Sequence, residues 1–352
     1  MFQVSNIRVS AIVSALALAV AVPASAHTDM APQGYEAAIT DAKKSMVANP
    51  ARALDLARNA KVMANSEADT MTKDRLVADW LEGEALMRLN RGGEAAGVIG
   101  FALFEASQTH KDEKIYADLL RSSASLKARG GDPREALAHF KMAQLRYEQL
   151  GDKRSQAIVL QNIGSLYSRA HKFDEVLRHY EKASETFSDD AILTLSNHNN
   201  IGFAQMKMGK FADAEANFGK ALAIAEKMQS PLLKARILTN LAAVQNLRGN
   251  TGEAEATAKQ AMTLAKEHAQ NWMPFIYGVQ AQIELSKGDL EQADAMITNA
   301  FDGQVLNKTN PLFRDFHETA TDIFTKRGKQ DLAQQHGEAT DRIDRQARAV
   351  RL

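Results

Sequence analysis

LQNIGSLYSRAHKFDEVLRHYEKA (160–183) is followed 38 residues later by HNNIGFAQMKMGKFADAEANFGKA (198–221). A further 40 residues on comes LTNLAAVQNLRGNTGEAEATAKQA (238–261), and the three superpose without gaps. Each carries a small residue in a first apolar-periodic segment (Gly164, Gly202, Ala242), then a turn. A small β-carbon residue follows early in a second segment (Val176, Ala214, Ala254), then Tyr180, Phe218 or Ala258, and finally Ala183, Ala221 or Ala261. Self-similarity at a period of 20 to 50 residues is the mark of repeat architecture.

Extended in both directions, the register gives second-segment positions 53, 95, 136, 176, 214, 254, 293 and 333, with steps of 38 to 42 residues. Eight units then span nearly all of the chain beyond its leader. Between the two segments of a unit lie NRGGE (90–94), GGDP (130–133), MGKF (208–211), RGNTG (248–252), KGDL (287–290) and RGKQ (327–330), in which glycine can take the left-handed conformation that ends a helix. Each unit therefore reads as helix, tight turn, helix, longer turn. One such hairpin cannot bury both of its apolar faces, so neighbouring hairpins supply the missing surface and a one-dimensional solenoid follows. The small residues at 164, 202 and 242 let a neighbouring helix approach, and Tyr180 and Phe218 fill the space between adjacent pairs.

Composition narrows the functional classes. The 352 residues are 45% hydrophobic and 24% charged, with Lys plus Arg and Asp plus Glu both totalling 43 and no long run of either sign. No basic stripe for nucleic acid is present. The start, MFQVSNIRVSAIVSALALAVAVPASAHTDM, has one early cation, an apolar run from about Ala11 to Val22 and a small-x-small site, which predicts a signal peptide over 1–26 cut after Ala26. The mature chain is then expected to be periplasmic or secreted, without membrane insertion, because no other segment approaches spanning length. Absence of cysteine fits an oxidising compartment and leaves no disulfide or thiolate metal site.

No catalytic or cofactor constellation is legible. There is no HExxH or closely spaced histidine pair, HETAT at 317 lacks its second histidine, and the nine histidines are expected on exposed helix or turn positions. Gly209-Lys210 and Gly219-Lys220 lack phosphate-loop spacing, no GxSxG elbow occurs, and Met206, Met208 and Met228 read as core filler. Trp80 and Trp272 read as packing anchors, with Trp272 a possible exposed contact. No metal and no cofactor is expected, and the chain is expected not to be an enzyme, although an unfamiliar hydrolase site remains a rival reading.

The order of small, aromatic and alanine positions resembles the tetratricopeptide repeat. Ile163-Gly164, Tyr167, Phe173, Tyr180 and Ala183 carry the likeness best, with Ile201-Gly202, Gly209, Phe211, Ala214, Phe218 and Ala221 close behind; Asp41, Thr321 and Gly337 fit poorly in the terminal units. The family's period is 34 residues, so each helix here should be longer by nearly one turn, as in kinesin light chains and bacterial peptide-responsive regulators. The expected fold is all-α: a right-handed α-solenoid of about eight helix-turn-helix units over 34–352, closed by a polar C-terminal capping helix. The ending from 311 to 352 is similar to the sensor portion of bacterial tetratricopeptide-containing diguanylate cyclases, but the GGDEF domain is lacking and no cyclase activity carries over.

Asparagine is a weak helix former, yet Asn197, Asn199 and Asn200 cluster inside a helical pattern. Asn162, Asn200 and Asn240 each stand two residues before the small position of their unit. The resemblance implies that this face lines a concave groove, where carboxamides can grip an extended peptide backbone. Asn199, Phe203, Arg236 and Asn246 are expected on the same surface, with Arg236 available to a carboxylate. The alternative is that the asparagines tie neighbouring helices together. The function implied is an exported module that binds a peptide or another envelope protein; the rival is the extracytoplasmic sensor part of a cyclase-type system.

Overall fold

A computed structural model describes residues 34–65, 72–304 and 310–349, so the proposed leader and its cut after Ala26 lie outside the described residues. Among these residues there are sixteen α-helices and no strand. They fall into eight consecutive pairs. The first four are α1 (Tyr35–Ala48) with α2 (Pro50–Asn65), α3 (Lys73–Arg88) with α4 (Gly92–Thr109), α5 (Lys114–Gly130) with α6 (Pro133–Gln149), and α7 (Lys153–Arg169) with α8 (Phe173–Thr186). The others are α9 (Ala191–Lys207) with α10 (Phe211–Lys227), α11 (Pro231–Leu247) with α12 (Thr251–His268), α13 (Met273–Lys287) with α14 (Leu290–Phe301), and α15 (Arg314–Lys326) with α16 (Gln330–Ala349). Two compact units divide inside α7, one ending at Leu166 and the other beginning at Tyr167.

The turn inside each hairpin from α3–α4 onward has one construction. A residue with positive φ follows the first helix, and the next N–H donates to a carbonyl five residues back, as in Arg91 to Leu86, Lys210 to Gln205 and Lys329 to Phe324. Glycine serves at 131, 209, 249, 288 and 328, but Asn90 and His171 take the left-handed position in their own turns. In NRGGE the work thus falls to Asn90, and Gly92 and Gly93 open α4 instead. Side-chain caps from Thr72, Asp132, Asp190, Ser230 and Asp289 satisfy the first N–H groups of five helices.

The eight register positions 53, 95, 136, 176, 214, 254, 293 and 333 each lie three residues after the first residue of a second helix, and all are buried. Four residues further stand Ala57, Ile99, Phe140, Tyr180, Phe218, Ala258 and Ile297, and three beyond those Ala60, Ala102, Ala143, Ala183, Ala221, Ala261 and Ala300, all buried as well. This i, i+4, i+7 stripe is the helix face that meets the first helices. Bulk on it is matched by absence of bulk opposite. A Cβ on Gly202 would stand 3.0 Å from both the Ala214 carbonyl oxygen and the Phe218 ring, and one on Gly83 would fall 2.4 Å from Ile99. Phe218 thus fills the notch from within its own hairpin, whereas Tyr180 reaches α9 of the next one.

The last hairpin corrects one expectation. His317 and His336 are not exposed: each is 3% accessible, and their Nδ1 atoms lie 2.8 Å apart across the α15–α16 interface. Phe301 and Phe324 pack against them, because the helix phase of HETATDIF turns His317 inward with Ala320 and Phe324. Burial, with His336 and Arg342 adding, pushes His317 down to about 3, and burial pushes His336 down to about 4.

Two outcomes are expected. Gly202→Leu should lower stability by about 1 to 3 kcal/mol in urea titration, since backbone and a buried ring both oppose the added atoms. For the histidines, the unfolded chain takes up protons below pH ~6.5 that the folded pair refuses, so stability falls as pH drops from there toward 4. The two groups together should cost on the order of 5 kcal/mol by pH 4.5, and denaturant midpoints at pH 7 and 4.5 should converge in His317→Leu/His336→Leu.

Candidate functional site

In the unit from Tyr167 onward, consecutive first helices α9, α11, α13 and α15 pack side by side. The asparagine cluster lies in this layer and is buried: Asn199, Asn200 and Asn240 are 1%, 7% and 0% exposed. Asn240 Nδ2 donates to Asn199 Oδ1 at 2.8 Å, Asn199 Nδ2 to Asn200 Oδ1 at 3.2 Å, and Asn200 Nδ2 to the Tyr180 hydroxyl at 2.9 Å. The ladder runs from α11 through α9 to α8 and so ties three hairpins. The remaining two members are also engaged, Asn197 Nδ2 with Ser184 Oγ at 3.0 Å and His198 Nδ1 with Asn217 Oδ1 at 3.0 Å. A poor helix former is retained because its amide satisfies a neighbour that would otherwise be buried unpaired.

Further polar ties repeat at about one unit's spacing. Trp272 Nε1 donates to Thr239 Oγ1, Asn246 Nδ2 to Ser286 Oγ and Gln282 Nε2 to Thr319 Oγ1, each at 3.1 Å. Phe203 is 2% exposed and lies edge-on to Phe173, so its ring belongs to the core. Trp272 is buried too, stacked on Phe275 at 4.2 Å. Asn162 is half-buried in α7, within the unit ending at Leu166.

Arg236 stands apart from these ties. Its guanidinium lies 4.8 Å from the Trp272 ring centre, it has no carboxylate partner among the described residues, and its buried Nε has no acceptor. Burial alone pushes its pKa below the usual arginine range. On the same helix the Asn240 Oδ1, Gln245 Oε1 and Asn246 Oδ1 atoms are buried without a donor. α11 thus carries one cation without an acid and three buried amide oxygens without a donor; Asn240 is closed to solvent and Gln245 falls on the side of the helix opposite Arg236, so Arg236 is the group available to a carboxylate.

A second polar group was not legible in the sequence. Lys207, the last residue of α9, places Nζ 3.0 Å from Asp315 Oδ2 at the start of α15, across 108 residues of chain. Arg314 Nη1 also contacts Asp315 at 3.0 Å and Glu318 at 2.8 Å, while its Nε and Nη2 hold Asp344 of α16 at 2.8 and 3.0 Å. Burial, with Arg314 nearby, pushes Lys207 well below its ordinary value, and the hydrogen bonds from Arg314 hold Asp344 low. Only Asp315's sequence position beside Arg314 hinted at a charged cluster.

Residues 116–189 and 193–267 match the Tetratricopeptide repeat family, over somewhat less than half of the chain. No curated protein matches the sequence. Solved structures do share its fold. The apo form of the quorum sensor NprR from B. thuringiensis is 13% identical, with 88% of this chain and 87% of that chain covered at a TM-score of 0.66. A Rap protein complexed with Competence and Sporulation Factor is 14% identical, covering 90% and 99% at 0.61. Aspartyl phosphate phosphatase F from Bacillus subtilis is 14% identical, covering 91% and 96% at 0.56. The chain is thus an all-α protein of the helical-repeat solenoid class, similar to regulators of that fold. Over the two matched stretches its repeats are tetratricopeptide repeats. A phosphatase among the similar structures means that the fold by itself does not separate catalysts from binders.

Asn240→Ala should cost about 1 to 3 kcal/mol, because it strips the Asn199 carbonyl of its donor in a site closed to water. Urea unfolding of the variant beside the parent measures it.

Proposed function

We propose that this chain is an exported, non-enzymatic binding module that holds an extended, carboxylate-bearing peptide segment of an envelope protein against the α11 face. The observation that carries the reading is Arg236: a half-buried guanidinium stacked on Trp272, with no acid to balance it among the described residues. A buried unpaired cation is destabilising, so its retention fits a partner that arrives from outside. Helical-repeat folds tolerate such a role, and one similar structure is a Rap protein complexed with Competence and Sporulation Factor. The exported part of the proposal rests on the signal-peptide pattern over 1–26, with a cut expected after Ala26. No helix among the described residues is long and apolar enough to cross a membrane.

The chain has two tryptophans, so Trp80→Phe leaves Trp272 as the reporter beneath Arg236. Titrating that variant with matched acidic and neutral extended peptides should change its fluorescence with the acidic set. Adding Arg236→Gln should weaken the response at least ~10-fold, as loss of a charge-assisted contact requires. Equal affinities with and without Arg236 would refute the assignment. In the free protein, Arg236→Met should raise stability by roughly 1 kcal/mol, the sign expected for removal of an uncompensated charge.

A further inference from the structure

Counted from the first residue of each second helix, the ninth and twelfth following positions form a row. In the unit ending at Leu166 these positions hold Asn59 and Val62 on α2, Phe101 and Phe104 on α4, and Met142 and Leu145 on α6, all exposed; Phe101 is 53% and Phe104 61% accessible. On later second helices the same positions carry no large apolar residue: Lys182 and Glu185 on α8, Lys220 and Ala223 on α10, Gln260 and Thr263 on α12, Ala339 and Arg342 on α16. The apolar row is therefore not a requirement of the repeat. Among the described residues nothing covers it, and exposed apolar clusters of this kind mark interaction surfaces.

We propose that this row is the interface through which two copies of the chain associate about a two-fold axis running between α4 and α6. The surface is self-complementary under that operation. The two helices hold equivalent places in successive hairpins, and the Arg146–Asp112 ion pair brings α6 against the turn after α4. An axis parallel to both exchanges them at equal depth. It sets Phe101 and Phe104 on Met142 and Leu145 of the second copy, and Gly97 on Ala138 of the second copy, where two small residues permit close approach. It also brings Glu105, which has no ion-pair partner among the described residues, to Arg146 of the second copy. At the start of the helices the axis sets Glu94 on Glu135 of the second copy, each held within its own chain by Arg91 and Lys127.

Two further observations fit. Gly97 and Gly100 sit inside α4, where glycine is destabilising relative to alanine, and a Cβ on either would meet nothing within 4 Å. Packing within the chain does not need them; approach of another helix does. The four half-exposed apolar side chains paired across the axis amount to roughly 450 Å² per copy and about 900 Å² per pair, near the size at which specific association begins.

Sedimentation of the full-length gene product, purified as the cell delivers it, tests the assignment. A reversible dimer is expected at about 10 µM, with Phe101→Glu/Phe104→Glu weakening self-association at least tenfold. Gly97→Gln should do the same while keeping the helix content and melting temperature of the monomer, because the position is open within the chain. The chain has no cysteine, so Gly97→Cys/Ala138→Cys should form covalent dimers on oxidation. A monomer up to about 50 µM, a dimer indifferent to these substitutions, or binding of the row to anionic vesicles in place of self-association would each overturn it.

Discussion

Every hairpin depends on one steric constraint: three residues into its second helix, no side chain is larger than valine. At 53, 95, 136, 214, 254, 293 and 333 the residue is alanine, at 176 valine, and all are buried. The absence of bulk lets the two helices of a pair close on each other, and the larger residues four positions on then dock beside them. Where that residue is Phe218, the opposing helix gives way with Gly202; the equivalent positions of the next hairpin hold Ala258 and Ala242. Bulk on one helix is thus answered by its absence on the other, as close packing requires.

Apolar packing of this kind says little about register between hairpins, since alanine faces slide at small cost. The buried amides supply what is missing. The chain of donors from Asn240 to Asn199 to Asn200 to Tyr180 is satisfied only when α11, α9 and α8 sit at one height. Trp272 with Thr239 and Gln282 with Thr319 extend the same logic through α13 to α15. Directional bonds in a dry layer thus do for this array what large interlocking side chains do elsewhere.

The hairpins were legible in the sequence because alanine spacing and turn chemistry are local: positions 53 to 333 fall at one depth in each second helix, and the turns begin where their left-handed residues stand. The layer of first helices was only half legible. Phase counting marked Asn200 and Asn240 as equivalents, yet Asn240 bonds Asn199, one residue away, because adjacent helices are rotated and shifted by less than a residue count can express. The inward turn of His317 and His336 needed the packing of α16 to be known, and the Lys207–Asp315 contact joins residues that no local pattern relates. Arg236 was marked as a carboxylate partner; that it stacks on Trp272 without an acid is a matter of three dimensions.

The Lys207–Asp315 bond has a consequence for how the array comes apart. Repeat proteins with neighbour contacts alone fray from their ends, each terminal unit leaving at little expense to the rest. Here the eighth hairpin is fastened to the fifth, so peeling α15 away must also expose a lysine and an aspartate sealed inside the layer. The stretch from α9 to α16 should accordingly melt as one block, with a zipper's free end converted into a buckle.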